Sequence, residues 1–279
     1  MTNRPLLASV AALAGCAATQ KAPPGAREIS FVQGDAGKLR VSDGGSGEPA
    51  VVLIHGLGGT LDVWREELAH LRATHRAVAL DLRGHGLSDA PPDTSGYSID
   101  GLAADVEAVM RALSLGRVVL VGHSMAGAAM TRLAALHPHQ VERLVYVDAI
   151  GDMHRLPPDV FAHVVQGVGA IDDKYKWADD YMVGKARAAT REEVHRELGY
   201  LRPGAFQALL QAMMGYDASA DAEKYSGAAD CIDAGADSQV FAYAMVPRCR
   251  RTSLKGVSHW LMADDPQAFA AALDAALAK

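Results

Sequence analysis

A serine stands between an apolar strand pattern and a helix pattern near the middle of the chain. Ser124 follows the run Val-Val-Leu-Val-Gly-His at 118–123, and small residues then open a predicted helix over Ala126–Leu136. Small neighbours fit a sharp strand–turn–helix junction, in which a serine takes a strained backbone conformation and presents its hydroxyl. The pattern predicts that Ser124 is a nucleophile. The alternative is an ordinary turn serine, because such short motifs also occur by chance.

Two further segments combine an apolar strand pattern with a loop of small and polar residues. The first is Val51–Ile54, followed by His-Gly-Leu-Gly-Gly at 55–59. The second is Ala77–Leu80, followed by Asp-Leu-Arg-Gly-His-Gly-Leu-Ser-Asp at 81–89. Each segment by itself is weak evidence for any particular fold or function. In this order and spacing, together with the serine turn, they form a specific set.

This set resembles the α/β-hydrolase fold family, and the resemblance covers roughly Phe31 to the C-terminus. One departure is that Ala126 stands where the second glycine of the family's G-x-S-x-G pattern belongs, with Gly127 after it. The resemblance implies serine catalysis on an acyl carbon. Segment 81–89 resembles a structural turn of the family, and we assign it no catalytic role.

The base that accepts the serine proton is expected near the C-terminus. A serine hydroxyl is a poor nucleophile near neutral pH and needs such a base, which a carboxylate normally orients. In α/β-hydrolases the chain order is serine, acid, histidine. His259 is the histidine that follows the last predicted strand. Its loop resembles the family's histidine loop, although Ser258 replaces the glycine often found there.

Three aspartates are candidates for the acid. The family places the acid just beyond the strand before the histidine strand, and this favours Asp237. Asp237 also directly precedes a predicted helical run at 238–245, so a helix N-cap is its other interpretation. The alternatives are Asp233, inside the preceding strand, and Asp148, at a position that some relatives use.

The resemblance also implies an oxyanion hole made by two backbone N–H groups. One belongs to Met125, after the nucleophile and at a helix start, where the helix dipole favours negative charge. The other belongs to Leu57. We expect His55 to shape that loop and not to act as a base.

Strand and helix patterns alternate along the chain, which predicts an α/β fold with a doubly wound, mostly parallel eight-stranded sheet covered on both faces. Ser98 and Asp265 are predicted helix N-caps, and the first two strands are expected to form an antiparallel edge hairpin. The predicted strands are Glu28–Val32, Leu39–Ser42, Val51–Ile54, Ala77–Leu80, Val118–Val121, Leu144–Val147, Ala229–Ile232 and Arg251–Leu254.

The strand signal stops after the sixth strand. Residues 151–216 carry helical patterns, which indicates a helical cap over the carboxyl ends of the strands, where ligands bind in such sheets. The core is then 28–150 and 217–279. A few of the cap's large side chains should face the substrate: Phe161, Tyr175, Trp177, Tyr181, Met182, Phe206, Met213 and Met214.

Residues 1–27 are interpreted as a signal peptide and a flexible tether. A short apolar run ends at Leu-Ala-Gly-Cys, residues 13–16, which resembles a bacterial lipoprotein signal with Cys16 as the lipidated residue. We therefore expect an exported enzyme facing the periplasm. The resemblance implies that an aspartate after the cysteine would signal retention at the inner membrane. Because residue 17 is alanine, the outer membrane is the expected location. The alternative is a disordered leader on a cytoplasmic enzyme.

The other two cysteines, Cys231 and Cys249, lie in or beside neighbouring predicted strands. We expect buried free thiols, with a disulfide as the alternative. The spacing of metal-ligating residues indicates no metal site, and we expect no cofactor.

Composition bounds the partners. A net charge of −6 over 279 residues, without a basic stripe, argues against nucleic acid. The expected partner is a small ester-like substrate, and the lipid anchor is the expected membrane contact. The leading hypothesis is a carboxylesterase for small to medium apolar substrates. Its rivals are a carbon–carbon bond hydrolase, a cofactor-free haloperoxidase-like enzyme and a non-catalytic binding protein. Epoxide hydrolases and haloalkane dehalogenases of this fold attack with aspartate, which Ser124 disfavours.

Overall fold

The computed structural model describes residues 28–149, 152–155, 157–235 and 249–278. Within these ranges eight strands form one sheet. All eight lie where the sequence predicts strands, each within three residues of the predicted bounds. The strands are β1 (Glu28–Gln33), β2 (Lys38–Gly44), β3 (Ala50–Ile54), β4 (Ala77–Leu80), β5 (Val118–His123), β6 (Val141–Val147), β7 (Ala228–Asp233) and β8 (Arg250–Ser253).

The sheet order is β1-β2-β4-β3-β5-β6-β7-β8. β1 and β2 form the predicted antiparallel hairpin at one edge, and β2 also runs antiparallel to β4. The pairs from β4 through β8 are parallel. The carboxyl ends of β3, β5 and β6 therefore meet at one edge of the sheet, where each continues into a loop of the candidate site.

Helices cover both faces of this sheet. Successive side chains of a strand point to opposite faces, so Val52 and Ile54 enter one apolar core while Val51 and Leu53 enter the other. The helices are α1 (Arg65–Leu71), α2 (Ile99–Ala112), α3 (Ala126–Leu136), α4 (Pro158–Gly169), α5 (Lys174–Trp177), α6 (Ala188–Leu198), α7 (Ala205–Met214), α8 (Ala218–Ala222), α9 (Leu261–Asp264) and α10 (Pro266–Leu277).

Two helix starts follow the predicted capping chemistry. The Ser98 hydroxyl accepts a hydrogen bond from the Gly101 N–H at 3.0 Å. The Asp265 carboxylate accepts one from the Ala268 N–H at 3.0 Å, and Pro266 opens α10. Each cap satisfies an N–H that the helix itself leaves unpaired.

The described chain between β6 and β7 is helical. It contains α4 to α8 and a π-helical turn at Ala178–Met182, and we call α4 to α7 the cap. Among the described residues, no helix combines the length and apolar character needed to cross a bilayer.

The expectation of free thiols at Cys231 and Cys249 is wrong. The two residues form a disulfide, with their Cα atoms 5.8 Å apart. Cys231 lies in β7, and Cys249 directly precedes β8, whose first residue pairs with Asp230 of β7. The parallel pairing of β7 and β8 thus brings two cysteines together that lie 18 residues apart along the chain.

Candidate active site

Ser124 lies in a strained turn between β5 and α3. Its φ angle is +52°, in the left-handed region that residues other than glycine rarely adopt. The turn is fixed on both sides. The Ser124 N–H donates to the Val147 carbonyl at 3.0 Å, and the Gly127 N–H donates to the Ser124 carbonyl at 3.0 Å. The strain is therefore held by hydrogen bonds to β6 and within the turn.

The small residues around Ser124 are required by close packing. A Cβ on Gly122 would lie 2.7 Å from Met130 Sδ, and one on Gly127 would lie 2.6 Å from the Ala149 Cβ. Ala126 itself is fully buried. The departure from the family pattern at Ala126 is thus accommodated, since the glycine that the packing needs stands at 127.

His259 lies in the loop between β8 and α9 and contacts a buried carboxylate. Its Nδ1 donates to Asp148 Oδ2 at 2.6 Å, and the two side chains are 7% and 1% exposed. A proton held on Nδ1 leaves Nε2 as the basic nitrogen. Asp148 is also fixed, because its Oδ1 accepts from the Ala234 N–H at 3.2 Å.

His123 connects this histidine loop to the serine turn. Its Nε2 donates to the His259 carbonyl at 2.8 Å, and the centroids of the two rings lie 4.6 Å apart. Burial and then the neighbouring His259 lower the pKa of His123 to about 3. His123 is therefore a neutral structural group that places the His259 loop beside Ser124.

The three candidate acids have different surroundings. Asp148, which directly follows β6, is the aspartate that binds His259. Asp233 is engaged elsewhere: its Oδ1 accepts from the Ser253 hydroxyl at 2.6 Å, and its Oδ2 lies 2.6 Å from Arg251 Nε. Asp237, the acid favoured by the sequence, lies outside the described residues.

Both residues predicted to supply the oxyanion donors lie close to Ser124 in the structure. Met125 is the N-cap residue of α3, so its N–H belongs to the group that the helix leaves unpaired. Leu57 lies in the loop after β3 and lines the same cavity as Ser124. The glycine before it is closely packed, because a Cβ on Gly56 would lie 3.0 Å from the Ser124 Cβ.

His55 holds the Leu57 loop, as its position in the sequence suggests. Its Nδ1 donates to the Gly56 carbonyl at 2.8 Å, and its Nε2 accepts from the Leu82 N–H at 3.0 Å. Burial lowers the pKa of His55 to about 4. Asp81 is likewise structural, since it accepts from the Leu61 N–H at 2.6 Å and the Leu87 N–H at 2.9 Å.

A cavity of about 300 Å³ lies between Ser124 and the cap. Apart from Ser124 and His163, the residues that line it carry aliphatic, thioether or aromatic side chains or are glycine. Four of them, Trp177, Met182, Met213 and Met214, are among the cap residues that the sequence singled out. The remaining lining residues are Leu57, Met153, Val164, Gly167, Val168, Ile171 and Leu210.

The other cap residues singled out from the sequence have different roles. Phe206 is buried against Trp177, with ring centroids 5.2 Å apart. Tyr175 is 38% exposed and packs edge-on against His195. Met153 and His163 were not singled out, because nothing local in the sequence relates them to Ser124.

A metal site needs several ligand side chains that lie close together. Within the described ranges, no group of three or more His, Cys, Asp or Glu side chains has an arrangement suited to a metal ion.

Comparison with known proteins agrees with this architecture. Residues 49–225, more than half of the chain, match the alpha/beta hydrolase fold family, so the chain belongs to that family. Epoxide hydrolase 4 from Mus musculus is 34% identical over 108 residues, which are 39% of this chain and 30% of that protein. A serine hydrolase-like protein from Danio rerio is 31% identical over 153 residues, 55% of this chain and 46% of that protein. The matched segment thus spans less than half of each of these two relatives.

Solved structures share the fold. A bromoperoxidase from Bacillus anthracis superimposes with a TM-score of 0.76 at 21% identity, over 90% of this chain and 100% of that one. An esterase from Exiguobacterium antarcticum gives 0.76 at 22% identity, over 90% and 99% of the two chains. An enol-lactonase from Burkholderia xenovorans gives 0.71 at 23% identity, over 90% and 100%. At these identities the likeness concerns the fold.

Proposed function

We propose that this protein is a serine hydrolase that cleaves carboxylic esters of small to medium apolar substrates through an acyl-enzyme. One observation carries the proposal. A histidine whose Nδ1 contacts a buried carboxylate at 2.6 Å lies in a loop that is hydrogen-bonded to His123, the residue before a serine in a strained turn. That serine lines an apolar cavity. In this proposal Ser124 is the nucleophile and His259 is the base.

Asp148 replaces Asp237 as the proposed acid. An orienting carboxylate must hold the Nδ1 proton and stabilise the imidazolium that forms when the serine gives up its proton. Asp148 makes this contact and is buried. The carboxylate of Asp233 is instead engaged by β8.

The reaction then proceeds in two acyl transfers. The Ser124 oxygen attacks the ester carbonyl while His259 takes its proton, and the N–H groups of Leu57 and Met125 stabilise the developing oxyanion. His259 returns the proton to the leaving alcohol. Water, deprotonated by His259, hydrolyses the acyl-enzyme and releases the acid.

Serine at the apex also sets the class of reaction. Epoxide hydrolases of this fold attack with aspartate, so the resemblance to epoxide hydrolase 4 supports the fold and does not assign epoxide opening to this chain. The apolar cavity supports an uncharged acyl group, because burying an unpaired charge there would carry a large desolvation penalty.

Hydrolysis of p-nitrophenyl esters from acetyl to dodecanoyl tests this function. The assay uses the protein from residue 28 to the C-terminus. We expect hydrolysis with a preference for medium chains. Ser124→Ala should lower kcat/KM by about 10⁴-fold or more, since the members of such a unit act together. Matched melting curves would exclude a folding defect. Ester turnover by Ser124→Ala at the wild-type rate would contradict the proposal.

We also propose that the protein is exported and lipidated at Cys16, a residue outside the described ranges. The Cys231–Cys249 disulfide supports an oxidising compartment. Several acyl chains are needed for stable attachment, because one chain alone anchors weakly.

Fractionation of bacterial cells that express the full chain tests the anchor. We expect the full chain in the outer-membrane fraction, and the Cys16→Ser variant should leave the membrane fraction. Equal amounts of both variants in the cytoplasmic fraction would contradict the lipid anchor and leave the proposed chemistry untouched.

A further inference from the structure

A buried carboxylate of the cap contacts the loop that follows β3. Glu197, near the end of α6, is 3% exposed. Its Oε2 accepts from the Thr60 N–H at 3.0 Å, and its Oε1 accepts from the Thr60 hydroxyl at 3.2 Å. Thr60 lies three residues after Leu57, the proposed oxyanion donor. Both donors of Thr60 are thus held by one side chain of the cap.

Apolar packing reinforces this contact. A Cβ on Gly58, whose φ is +76°, would lie 2.4 Å from Leu198 Cδ2. Helix α6 therefore lies directly on the turn that carries Leu57. Leu198 leaves no room for a side chain at position 58. A shift of α6 would therefore change the space available to this turn.

The other end of α6 is tied to the histidine loop. Asp264 Oδ1 accepts from the Thr190 hydroxyl at 2.8 Å, and Asp264 Oδ2 accepts from the Ser258 N–H at 2.6 Å. The helix is thus fixed to the core at both ends. Glu197 therefore lies on a helix whose two ends are hydrogen-bonded to the Thr60 loop and to Asp264.

We propose that Glu197 is a positioning residue that sets the Leu57 loop for oxyanion stabilisation. This inference rests on the proposed function and adds to it a residue that does not touch the substrate. An oxyanion donor must be held in place before the charge develops, and a misplacement of about 1 Å costs on the order of 100-fold in rate. Glu197 holds the loop through Thr60.

The charge state of Glu197 suits a neutral substitute. Burial and then the charge of Glu193 raise the pKa of Glu197 to about 8. A glutamine has the same shape and retains an oxygen acceptor for the Thr60 N–H. Glu197→Gln should therefore preserve the position of the loop, whereas Glu197→Ala leaves both donors of Thr60 without this partner.

An alkylboronic acid separates oxyanion stabilisation from substrate binding. Its boron accepts the Ser124 oxygen, the serine proton passes to His259, and the tetrahedral adduct places a negative charge at the oxyanion hole. For Glu197→Ala we expect an inhibition constant weakened about 10-fold and kcat lowered by a similar factor, with KM changed less than about twofold. Glu197→Gln should stay within about threefold of wild type.

A second buried glutamate provides the matched control. Glu67 on α1 is 2% exposed, and burial also raises its pKa to about 8. Glu67→Gln should leave boronic acid inhibition and kcat at wild-type values. If Glu197→Ala does not fold, Thr60→Val tests the same contact from the other side, with an expected loss of about threefold or more in both quantities.

The outcomes distinguish this inference from the proposed function. Equal boronic acid inhibition of wild type, Glu197→Ala and Thr60→Val would overturn the role of Glu197 and leave the serine mechanism standing. A wild-type protein that hydrolyses no ester and binds no boronic acid would overturn both. A loss in Glu197→Ala confined to KM would also contradict a positioning role.

Discussion

The core and the cap hold their helices differently. Nine of the fourteen residues of α2 in the core are buried, whereas none of the twelve residues of α4 in the cap is buried. Ser124, His259 and Asp148 belong to the core and are each less than 9% exposed, and Ser124 lines the cavity. The proposed reacting groups therefore lie on tightly packed elements, whereas four of the residues that line the cavity, His163, Val164, Gly167 and Val168, lie on the loosely packed α4.

Helix α6 belongs to the cap, but several of its side chains are buried as those of core helices are. Its residues Thr190, Glu197 and Leu198 are buried, and its ends contact the two loops of the site. We infer that the cap contains two parts. One part, α4 together with α7, lines the cavity, and the other, α6, supports the proposed reaction machinery.

The largest expected effect in this comparison is the loss of the proposed acid in the core. Asp148→Asn should lower kcat by about 10³- to 10⁴-fold, because an amide does not stabilise the imidazolium or hold the required tautomer. Melting temperature and kcat would be measured together. Asp233→Asn and Asp237→Asn should each stay within about tenfold of wild type. An inactive Asp237→Asn beside an active Asp148→Asn would reverse the assignment.

Loss of the disulfide should have a smaller effect, and this effect should be on stability. The bond lies at the β8 edge of the sheet, where all four residues of β8 are exposed. Replacing both Cys231 and Cys249 with alanine should lower the free energy of unfolding by about 3 kcal/mol, as expected for a loop of this length. Denaturant unfolding of the oxidised protein measures it, with Cys16→Ser as the control. An unchanged midpoint would show that the bond contributes no stability.

The smallest effect concerns the wall of the cavity in the cap. A Cβ on Gly167 of α4 would meet no heavy atom within 4 Å, and Gly167 lines the cavity. Gly167→Leu should therefore fill space, lowering kcat/KM for octanoyl relative to acetyl esters about tenfold.

Gly169 gives a matched control on the same helix. It also has open space around its Cβ position, and it is not among the residues that line the cavity. Gly169→Leu should leave the chain-length profile unchanged. Identical profiles for the two variants would contradict the role of α4 in limiting the chain length of the substrate.

The sheet could be predicted from the sequence because its signals are local. Runs such as Val51–Ile54 are buried on both faces and read as continuous apolar segments, and Ser98 and Asp265 cap helices through chemistry visible within four residues. The serine turn is local as well. Its small residues reflect contacts such as that of Gly127 with Ala149.

The disulfide and the carboxylate on His259 depend on how distant segments meet. Cys231 and Cys249 meet through the pairing of β7 and β8. Asp148 reaches His259 because β6 lies beside β5, with Val147 paired to His123, and the next residue along each strand enters the site. Chain order is satisfied by Asp148, Asp233 and Asp237 alike. The resemblance favoured Asp237 because the family usually places the acid just beyond the strand before the histidine strand.

The central claim is that Ser124 is the activated nucleophile of this site, and covalent labelling tests it most directly. A fluorophosphonate loses fluoride when a serine oxygen attacks its phosphorus, and the adduct is located by mass spectrometry of peptides. We expect one adduct per chain, on Ser124, with a labelling rate lowered by about 10³-fold or more in His259→Ala. No adduct on the folded wild-type protein, or an adduct on another serine with ester hydrolysis preserved in Ser124→Ala, would contradict it.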